Sequence, residues 1–182
     1  MSLKFAVGNL TIHRIVEQEA PYFPARDLFS DLTPELLAEN SPWMQKAGAI
    51  DAEGVLILCF QSYIVKTPHH TIMIDSCIGN DKPRPNRPKW NMKTDDTYMR
   101  ALKAAGFSVN DIDFVMCTHL HVDHVGWNTR LENGRWVPTF PNAPMCSPKL
   151  NSISGPNKTP RHPYRHLATA CCRSSSPNGP KS

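Results

Sequence analysis

The segment that most constrains the fold of this chain is a short apolar run followed at once by a cluster of polar residues. The run, at 112–116, is rich in β-branched and other apolar side chains and predicts a buried strand. Directly after it, His119, His121, Asp123 and His124 form the pattern His-x-His-x-Asp-His. Imidazole and carboxylate groups are usual protein ligands of zinc and similar divalent metals. The sequence therefore predicts a metal site where a buried strand ends and a loop begins.

The spacing of the four polar residues indicates how they divide between ions. His119 and His121 are two positions apart, so both can turn toward one ion only if the loop curls. Asp123 and His124 then fall on the far side of the curl, where they are placed for a second ion. A single histidine at a strand end is usually a satisfied surface or core residue, but four ligand-type residues within six positions favour a metal site.

This pattern resembles the signature of the metallo-β-lactamase-fold hydrolases. The resemblance implies that His119 and His121 bind a first metal and that Asp123 and His124 bind a second. It also implies that Asp123 acts in catalysis, by orienting a metal-activated water or by taking a proton from it. The implied cofactor is Zn²⁺, with two ions in a complete site of the family and one or fewer expected in this chain.

A second segment, at 71–79, resembles the earlier motif of the same family, which is a strand that ends in an aspartate. In this sequence the aspartate is Asp75. An aspartate in that position is ordinarily a turn former. Metal-bound histidines, however, commonly donate their other N–H to a carboxylate or a carbonyl. We therefore expect Asp75 to support the metal loop from behind the ligands.

The order of the predicted elements indicates an α/β protein. Strands, helices and a hairpin are predicted, in chain order, at 4–7, 10–16, 33–39, 55–65, 71–74, 94–106, 112–116 and 129–139. The strand–helix–strand succession that ends at the metal motif is typical of α/β folds. The resemblance implies more specifically the N-terminal half of an αββα metallo-β-lactamase-type sandwich. The polar, Pro-rich segment 80–93 predicts a solvated surface loop.

The composition changes after about Ala143. All 16 acidic residues lie at or before Glu132, whereas the remainder of the chain is basic and rich in Pro and Ser. We expect a partial metallo-β-lactamase-like domain at 1–143 and a disordered basic tail at 144–182, with no strand after Ala143. Three origins of the tail are consistent with this pattern: a truncation by frameshift or mis-splicing, a natural disordered tail, and a nucleic-acid-binding tail.

The basic tail also bears on activity. The resembling family takes its remaining metal ligands, two histidines and a bridging aspartate, from downstream segments. After Ala143 this sequence offers only His162 and His166, with Pro163 between them and no carboxylate. The expected function is a zinc hydrolase of a small ester, lactone or related substrate, whose activity the missing ligands put in question. The alternatives are a non-catalytic remnant that binds metal weakly and a nuclease of the same fold.

Several further expectations concern partners and location. The apolar side chains of Phe23, Phe29, Trp43, Trp90 and Trp127 favour a small hydrophobic substrate, and the N-terminal half looks closest to the lactonase and organophosphate-hydrolase branches. No apolar run approaches the ~20 residues that span a bilayer, so no membrane partner is expected. Seven spread basic charges with few aromatics make nucleic acid an unfavoured partner. With no secretory signal and six scattered cysteines, a cytoplasmic location is expected, and nothing specifies an oligomeric state.

Overall fold

A computed structural model describes residues 3–146 of the chain. Within them the chain forms eight strands and three α-helices. In chain order these are β1 Lys4–Val7, β2 Leu10–Pro24, α1 Ala25–Leu28, α2 Pro34–Lys46, β3 Val55–Lys66, β4 Thr71–Ile74, α3 Thr97–Ala104, β5 Phe114–Met116, β6 Thr129–Glu132, β7 Arg135–Pro138 and β8 Met145–Cys146. None of the helices in this described part is long and apolar enough to cross a membrane.

Six of the strands form one mixed sheet in the order β1-β2-β3-β4-β5-β8. The strands from β1 to β4 pair antiparallel, whereas β4 pairs parallel with β5, and β5 pairs parallel with β8. The remaining two strands, β6 and β7, form a separate hairpin around the predicted Asn133-Gly134 turn. The chain between β4 and β5 carries α3, as the strand–helix–strand pattern predicts. The predicted α/β class is confirmed.

The core lies between the sheet and α3. Tyr98 and Leu102 of α3 are buried, as the helical periodicity predicts, and they pack against Ile64 and Val115 of the sheet. The buried Tyr98 hydroxyl shares a hydrogen bond of 3.2 Å with the Ser62 hydroxyl, so its polar end is satisfied inside the core. Complete burial of an apolar side chain such as that of Ile64 stabilises the fold by about 1.5–3 kcal/mol. These residues fix the strands that carry the metal motif.

Two elements are longer than the sequence predicts. The strand predicted at 10–16 continues to Pro24, because β2 pairs with β3 along its whole length. Two prolines lie at irregular points of the extension: β2 shifts register between Pro21 and Phe23, and Pro24 is its last residue. Similarly, α2 begins at the predicted Thr33 cap but runs through Pro42 to Lys46. Local composition missed both extensions because pairing and packing outweigh it.

A strand forms where none is expected. Met145 and Cys146, which make up β8, pair parallel with Val115 and Met116 of β5. The residue before β8 is Pro144, which lacks an N–H but whose carbonyl accepts the Val115 N–H at 3.2 Å. The proline therefore leads into the pairing rather than preventing it. The tail predicted to be disordered lies, from residue 147 on, outside the described residues.

The segment 80–93 is only in part the solvated loop that its composition predicts, since residues 85–89 are exposed whereas Trp90 is buried. At its end, the side chain of Lys93 is 7% exposed and its ammonium lies 2.7 Å from Glu17 Oε1 of β2. The fully buried Glu17 carboxylate also accepts the Trp127 indole N–H at 2.8 Å and the Ile78 N–H at 2.6 Å. The Glu17 carboxylate thus links β2 to the segment 80–93, to the segment after β4 and to the residues that follow the metal motif.

We expect removal of either charge of the Glu17–Lys93 pair to destabilise the fold strongly. Lys93→Met should lower the free energy of unfolding by about 3–5 kcal/mol, because the Glu17 carboxylate stays buried without its cation; Glu17→Gln should cost somewhat less, because the Lys93 ammonium keeps Asp95 Oδ2 at 3.0 Å. Urea denaturation of the whole chain measures this change. The exposed pair Asp96–Arg100 is the control, since Arg100→Gln should cost at most about 1 kcal/mol.

The double variant Glu17→Gln/Lys93→Met distinguishes a specific pair from general damage. If the two groups act as a pair, the double variant loses clearly less stability than the sum of the single losses. Additive losses would show that the pairing between the two side chains does not contribute.

Candidate functional site

The metal motif and Asp75 meet at one edge of the sheet. β4 ends at Ile74 and β5 at Met116, and these two strands are parallel neighbours in register. Their carboxyl ends therefore lie side by side, and the chain that leaves each one enters the same region. In open α/β sheets this edge is where ligands bind. The topology thus brings Asp75 to the motif, as the sequence predicts.

The two segments that leave β4 and β5 are paired along their backbones. Four hydrogen bonds of 2.7–2.8 Å join them, and they run from Asp75 N to Met116 O, Ser76 N to His124 O, Gly126 N to Cys77 O and Trp127 N to Ser76 O. Side chains reinforce the pairing, because the Ser76 hydroxyl donates to Asn128 Oδ1 at 2.7 Å. The motif loop is therefore fixed by main-chain contacts on the side that faces the sheet.

The close approach of the segments requires glycine and an unusual backbone. A Cβ atom on Gly126 would overlap the Ile78 carbonyl, and one on Gly79 would overlap the Gly126 carbonyl. Asp75 and Cys77 adopt left-handed conformations, with φ of 57° and 48°. Such conformations are costly for residues other than glycine and concentrate at functional sites. The local structure thus accepts strain where the motif loop is held.

Asp75 binds the motif loop through both carboxylate oxygens. Its Oδ1 accepts the Thr118 N–H at 2.7 Å, and its Oδ2 accepts the Thr118 hydroxyl at 2.7 Å and lies 2.8 Å from His124 Nδ1. Because a carboxylate can only accept, we assign the hydrogen of His124 to Nδ1, which leaves the Nε2 lone pair for a ligand. This arrangement is the one by which carboxylates orient metal-bound histidines.

Thr118 extends the same orientation to a second histidine. Its hydroxyl hydrogen is used by Asp75, so at 3.1 Å from His119 Nδ1 the hydroxyl oxygen acts as the acceptor. His119 then also carries its hydrogen on Nδ1 and offers its Nε2 lone pair. Sequence reasoning missed Thr118, although its position directly before the motif was visible.

The predicted ligands form one cluster. The ring centroids of His119 and His124 are 3.8 Å apart, and those of His119 and His121 are 4.6 Å apart. Asp123 Oδ2 lies 3.6 Å from His124 Nε2. The side chains of Asp123 and His124 are 24% and 28% exposed, and His119 and His121 are exposed, so the cluster is open to solvent. The structure therefore brings together all four motif residues and Asp75.

The cluster matches a divalent metal in donor type and orientation but does not form a complete site. Among residues 3–146, no group of three or more His, Cys, Asp or Glu side chains is arranged to hold a metal ion. The two histidines oriented by Asp75 and Thr118 are chemically suitable ligands. The number of converging donors within residues 3–146 is therefore too small for a complete metal centre.

Two cations of the segment 80–93, which the sequence places in solvent, instead contact the chain around the motif. Arg84 Nη2 donates to Ile78 O at 2.7 Å and to Val122 O at 3.1 Å. Lys82 donates to Thr129 O at 2.9 Å, and burial lowers the pKa of this lysine to about 8. Neither position carries a sequence signal, because the surrounding prolines are typical of an exposed loop.

The aromatic residues predicted to favour a hydrophobic substrate fall into two groups. Trp90 and Trp127 are each 4% exposed and belong to the core: Trp90 packs edge to face on Phe60, and Trp127 stacks on Tyr98. The others remain accessible, and these are Phe23, Phe29 and Trp43. Only the second group is free to contact a substrate or a partner.

An open cleft of about 570 Å³ lies at the opposite ends of β4 and β5 from the motif. Its lining comprises Lys66, Thr71, Gly106, Phe107, Asn110, Asp111 and Asp113. It contains none of the predicted site residues and no cluster of ligand-type histidines. The candidate site therefore remains the motif, where Asp75 and the four motif residues lie together, and not this cleft.

The sequence profile of the metallo-beta-lactamase superfamily matches residues 61–161, which is more than half of the chain. The matched range contains both Asp75 and the His-x-His-x-Asp-His motif. The chain belongs to the metallo-beta-lactamase superfamily. The resemblance carried by the two motifs is thereby confirmed.

Solved structures share this fold. The hydrolase AbOPH of the beta lactamase superfamily is 23% identical, with a TM-score of 0.58, over 79% of this chain and 43% of its own. AidC, a dizinc quorum-quenching lactonase, is 21% identical, with a TM-score of 0.58 and the same coverages. A probable metal-dependent hydrolase from Staphylococcus aureus is 20% identical, with a TM-score of 0.57, over 78% of this chain and 47% of its own.

The chain thus spans less than half the length of these hydrolases. At such identities the likeness concerns the fold alone, and it confirms the predicted metallo-β-lactamase-type architecture. A search of curated protein sequences finds no match.

We expect Gly126→Ala to separate the two paired segments. The added methyl group would overlap a backbone carbonyl that cannot move without breaking the pairing, so the variant should lose about 3 kcal/mol or more of unfolding free energy. The control is Gly8→Ala, whose Cβ meets no atom within 4 Å and whose cost, about 1–2 kcal/mol, arises from its φ of 59° alone. Equal losses in urea denaturation would contradict the close approach.

Proposed function

We propose that this chain carries the first part of the metal centre of a zinc-dependent hydrolase that acts on a small ester or lactone. The observation that supports this most directly is the contact of Asp75 with Thr118 and His124. It leaves two imidazoles with their Nε2 lone pairs available beside the carboxylate of Asp123. A loop that only terminated a strand would not require this degree of orientation.

Each motif residue has a proposed role. His119 and His121 would belong to the first of the two ion positions of a complete family site, and Asp123 and His124 to the second. A zinc ion bound here would supply a water of lowered pKa for attack on a carbonyl carbon. The Asp123 carboxylate would orient that water or accept its proton. No Asp or Glu follows Glu132 in the sequence, so we propose that this chain binds one ion or fewer.

The substrate class is inferred from the surface and from the fold relatives. The exposed aromatic side chains of Phe23, Phe29 and Trp43 favour a small molecule with an apolar part. The structural relatives include a hydrolase and a quorum-quenching lactonase. Since one fold supports many reactions, a direct assay of an ester and a lactone tests this choice of substrate class.

A second candidate function has its own supporting observation. Because residues 3–146 contain no converging group of three ligands, the chain is also consistent with a non-catalytic protein that binds one metal weakly. The two candidates differ in one property, which is turnover by the metal-loaded chain.

We expect the zinc-loaded chain to hydrolyse an acyl lactone or a p-nitrophenyl ester, and EDTA to abolish the reaction. His121→Ala should lower both bound zinc and turnover, because it removes a proposed ligand. His69→Ala, in an exposed turn, is the control and should change neither. Zinc binding without turnover would favour the non-catalytic alternative, and unchanged zinc content in His121→Ala would refute the ligand assignment.

We expect Asp75→Asn to weaken zinc binding about 10–100-fold, as is usual when a partner of a metal-bound histidine is changed. A competition titration with a chromophoric chelator measures the affinity. Asp113→Asn is a matched control, because this aspartate also binds a backbone N–H, that of Thr71 at 2.7 Å, but lies before β5 and away from the motif. Equal affinity in both variants would show that Asp75 does not orient the ligands.

A further inference from the structure

The guanidinium of Arg84 links the two segments at the edge of the site. Its Nη2 donates to the carbonyl of Ile78, in the segment after β4, and to the carbonyl of Val122, in the metal motif. Its Nη1 is buried and has no hydrogen-bond partner among the described residues. The guanidinium is therefore held by its hydrogen bonds to these two carbonyl groups. Ile78 is itself held from the other side, since its N–H donates to Glu17.

Val122 is a central residue of a tight turn within the motif. The His124 N–H donates to His121 O at 3.0 Å, so residues 121–124 form a β-turn. The peptide between Val122 and Asp123 is the central peptide of that turn. A central peptide can flip between the type I and type II forms while the ends of the turn stay in place. Its orientation decides how Asp123 leaves the backbone.

The contact with Arg84 selects one of these orientations. The type II form would require a positive φ at Asp123, and Asp123 does not have one in this structure. In the observed form the Val122 carbonyl points at the Arg84 guanidinium, where it accepts a charge-assisted hydrogen bond. A flip would break that bond and direct an N–H toward the cation.

We propose that Arg84 is a positioning residue that locks the central peptide of the 121–124 turn and so fixes the approach of Asp123 to the metal site. The inference rests on the proposed function in one respect, namely that Asp123 binds metal. The locking of the peptide by Arg84 does not depend on it. Among the described residues Arg84 forms no hydrogen bond or ion pair with a motif side chain, although its charge attracts that of Asp123, so its bond to the motif is the one to the Val122 carbonyl.

The first test uses the metal-free 182-residue chain. We expect Arg84→Ala to change the carbonyl ¹³C shift of Val122 and the amide shifts of Asp123, because the carbonyl loses its charged donor. Added ethylguanidinium should restore these shifts in Arg84→Ala by filling the vacated space. Arg87→Ala is the matched control: Arg87 belongs to the same loop but lies over the Trp90 ring at 4.8 Å. Unchanged Val122 and Asp123 shifts in Arg84→Ala would overturn the proposal.

The second test connects the turn to the metal. The Co²⁺-loaded Arg84→Ala chain should bind Co²⁺ about 10-fold more weakly than the parent chain and show altered d–d absorption, and ethylguanidinium should restore both. Asp123→Asn should not respond to ethylguanidinium. A parent chain that binds no Co²⁺ would refute the proposed function, while the Val122 shift would still decide the role of Arg84.

A variant that keeps the apolar stem protects the test against a failure to fold. Arg84→Met retains the part of the side chain that packs but has no donor, and circular dichroism reports whether each variant is folded. The Val122 and Asp123 shifts of Arg84→Met should differ from those of the parent chain in the same direction as for the alanine variant. Parent-like shifts in Arg84→Met would overturn the proposal.

Discussion

The parallel pairing of β4 with β5 is the constraint on which the candidate site depends. It places two chain segments side by side at one edge of the sheet, and main-chain hydrogen bonds then hold them in contact. The contact between these two segments requires Gly79 and Gly126, because a side chain at either position would overlap a backbone carbonyl of the other segment. The ligand loop is therefore a part of the sheet edge, and main-chain hydrogen bonds hold its shape.

Two carboxylates secure this arrangement from different sides. Asp75 satisfies Thr118 and His124 on the side of the ligands, and Glu17 satisfies Ile78, Lys93 and the indole of Trp127 on the side of the core. A buried carboxylate with a full set of donors specifies the positions of all of them, because loss of one donor leaves charge without compensation. The strained backbone at Asp75 persists because these contacts over-determine it.

The sequence was sufficient for the parts of the site that local chemistry determines. The density of the motif predicts the ligand cluster, and the aspartate at the end of an apolar strand predicts its support. It was insufficient where pairing with a distant strand decides: β2 continues past Pro21 to Pro24 because β3 lies beside it, and β8 forms because it pairs with the edge of β5. The burial of Glu17 was accessible from the sequence, because Glu17 alternates with His13 and Ile15 on one face of β2. The contacts of Arg84 were not accessible, because its Pro-rich segment is typical of an exposed loop.

A metal centre requires both correctly oriented ligands and a sufficient number of them. The described part of this chain meets the first requirement but not the second. Within residues 3–146 the imidazoles are oriented by hydrogen bonds to Asp75 and Thr118, yet three donors do not converge. Orientation reduces the entropy lost when a metal binds, but affinity still scales with the number of bonds that form. Membership of the superfamily follows from the sequence profile, whose match includes Asp75 and the motif. Hydrolytic activity depends on the number of donors. Zinc binding and turnover must therefore be measured separately, because a chain with oriented but too few ligands would bind zinc without hydrolysing a substrate.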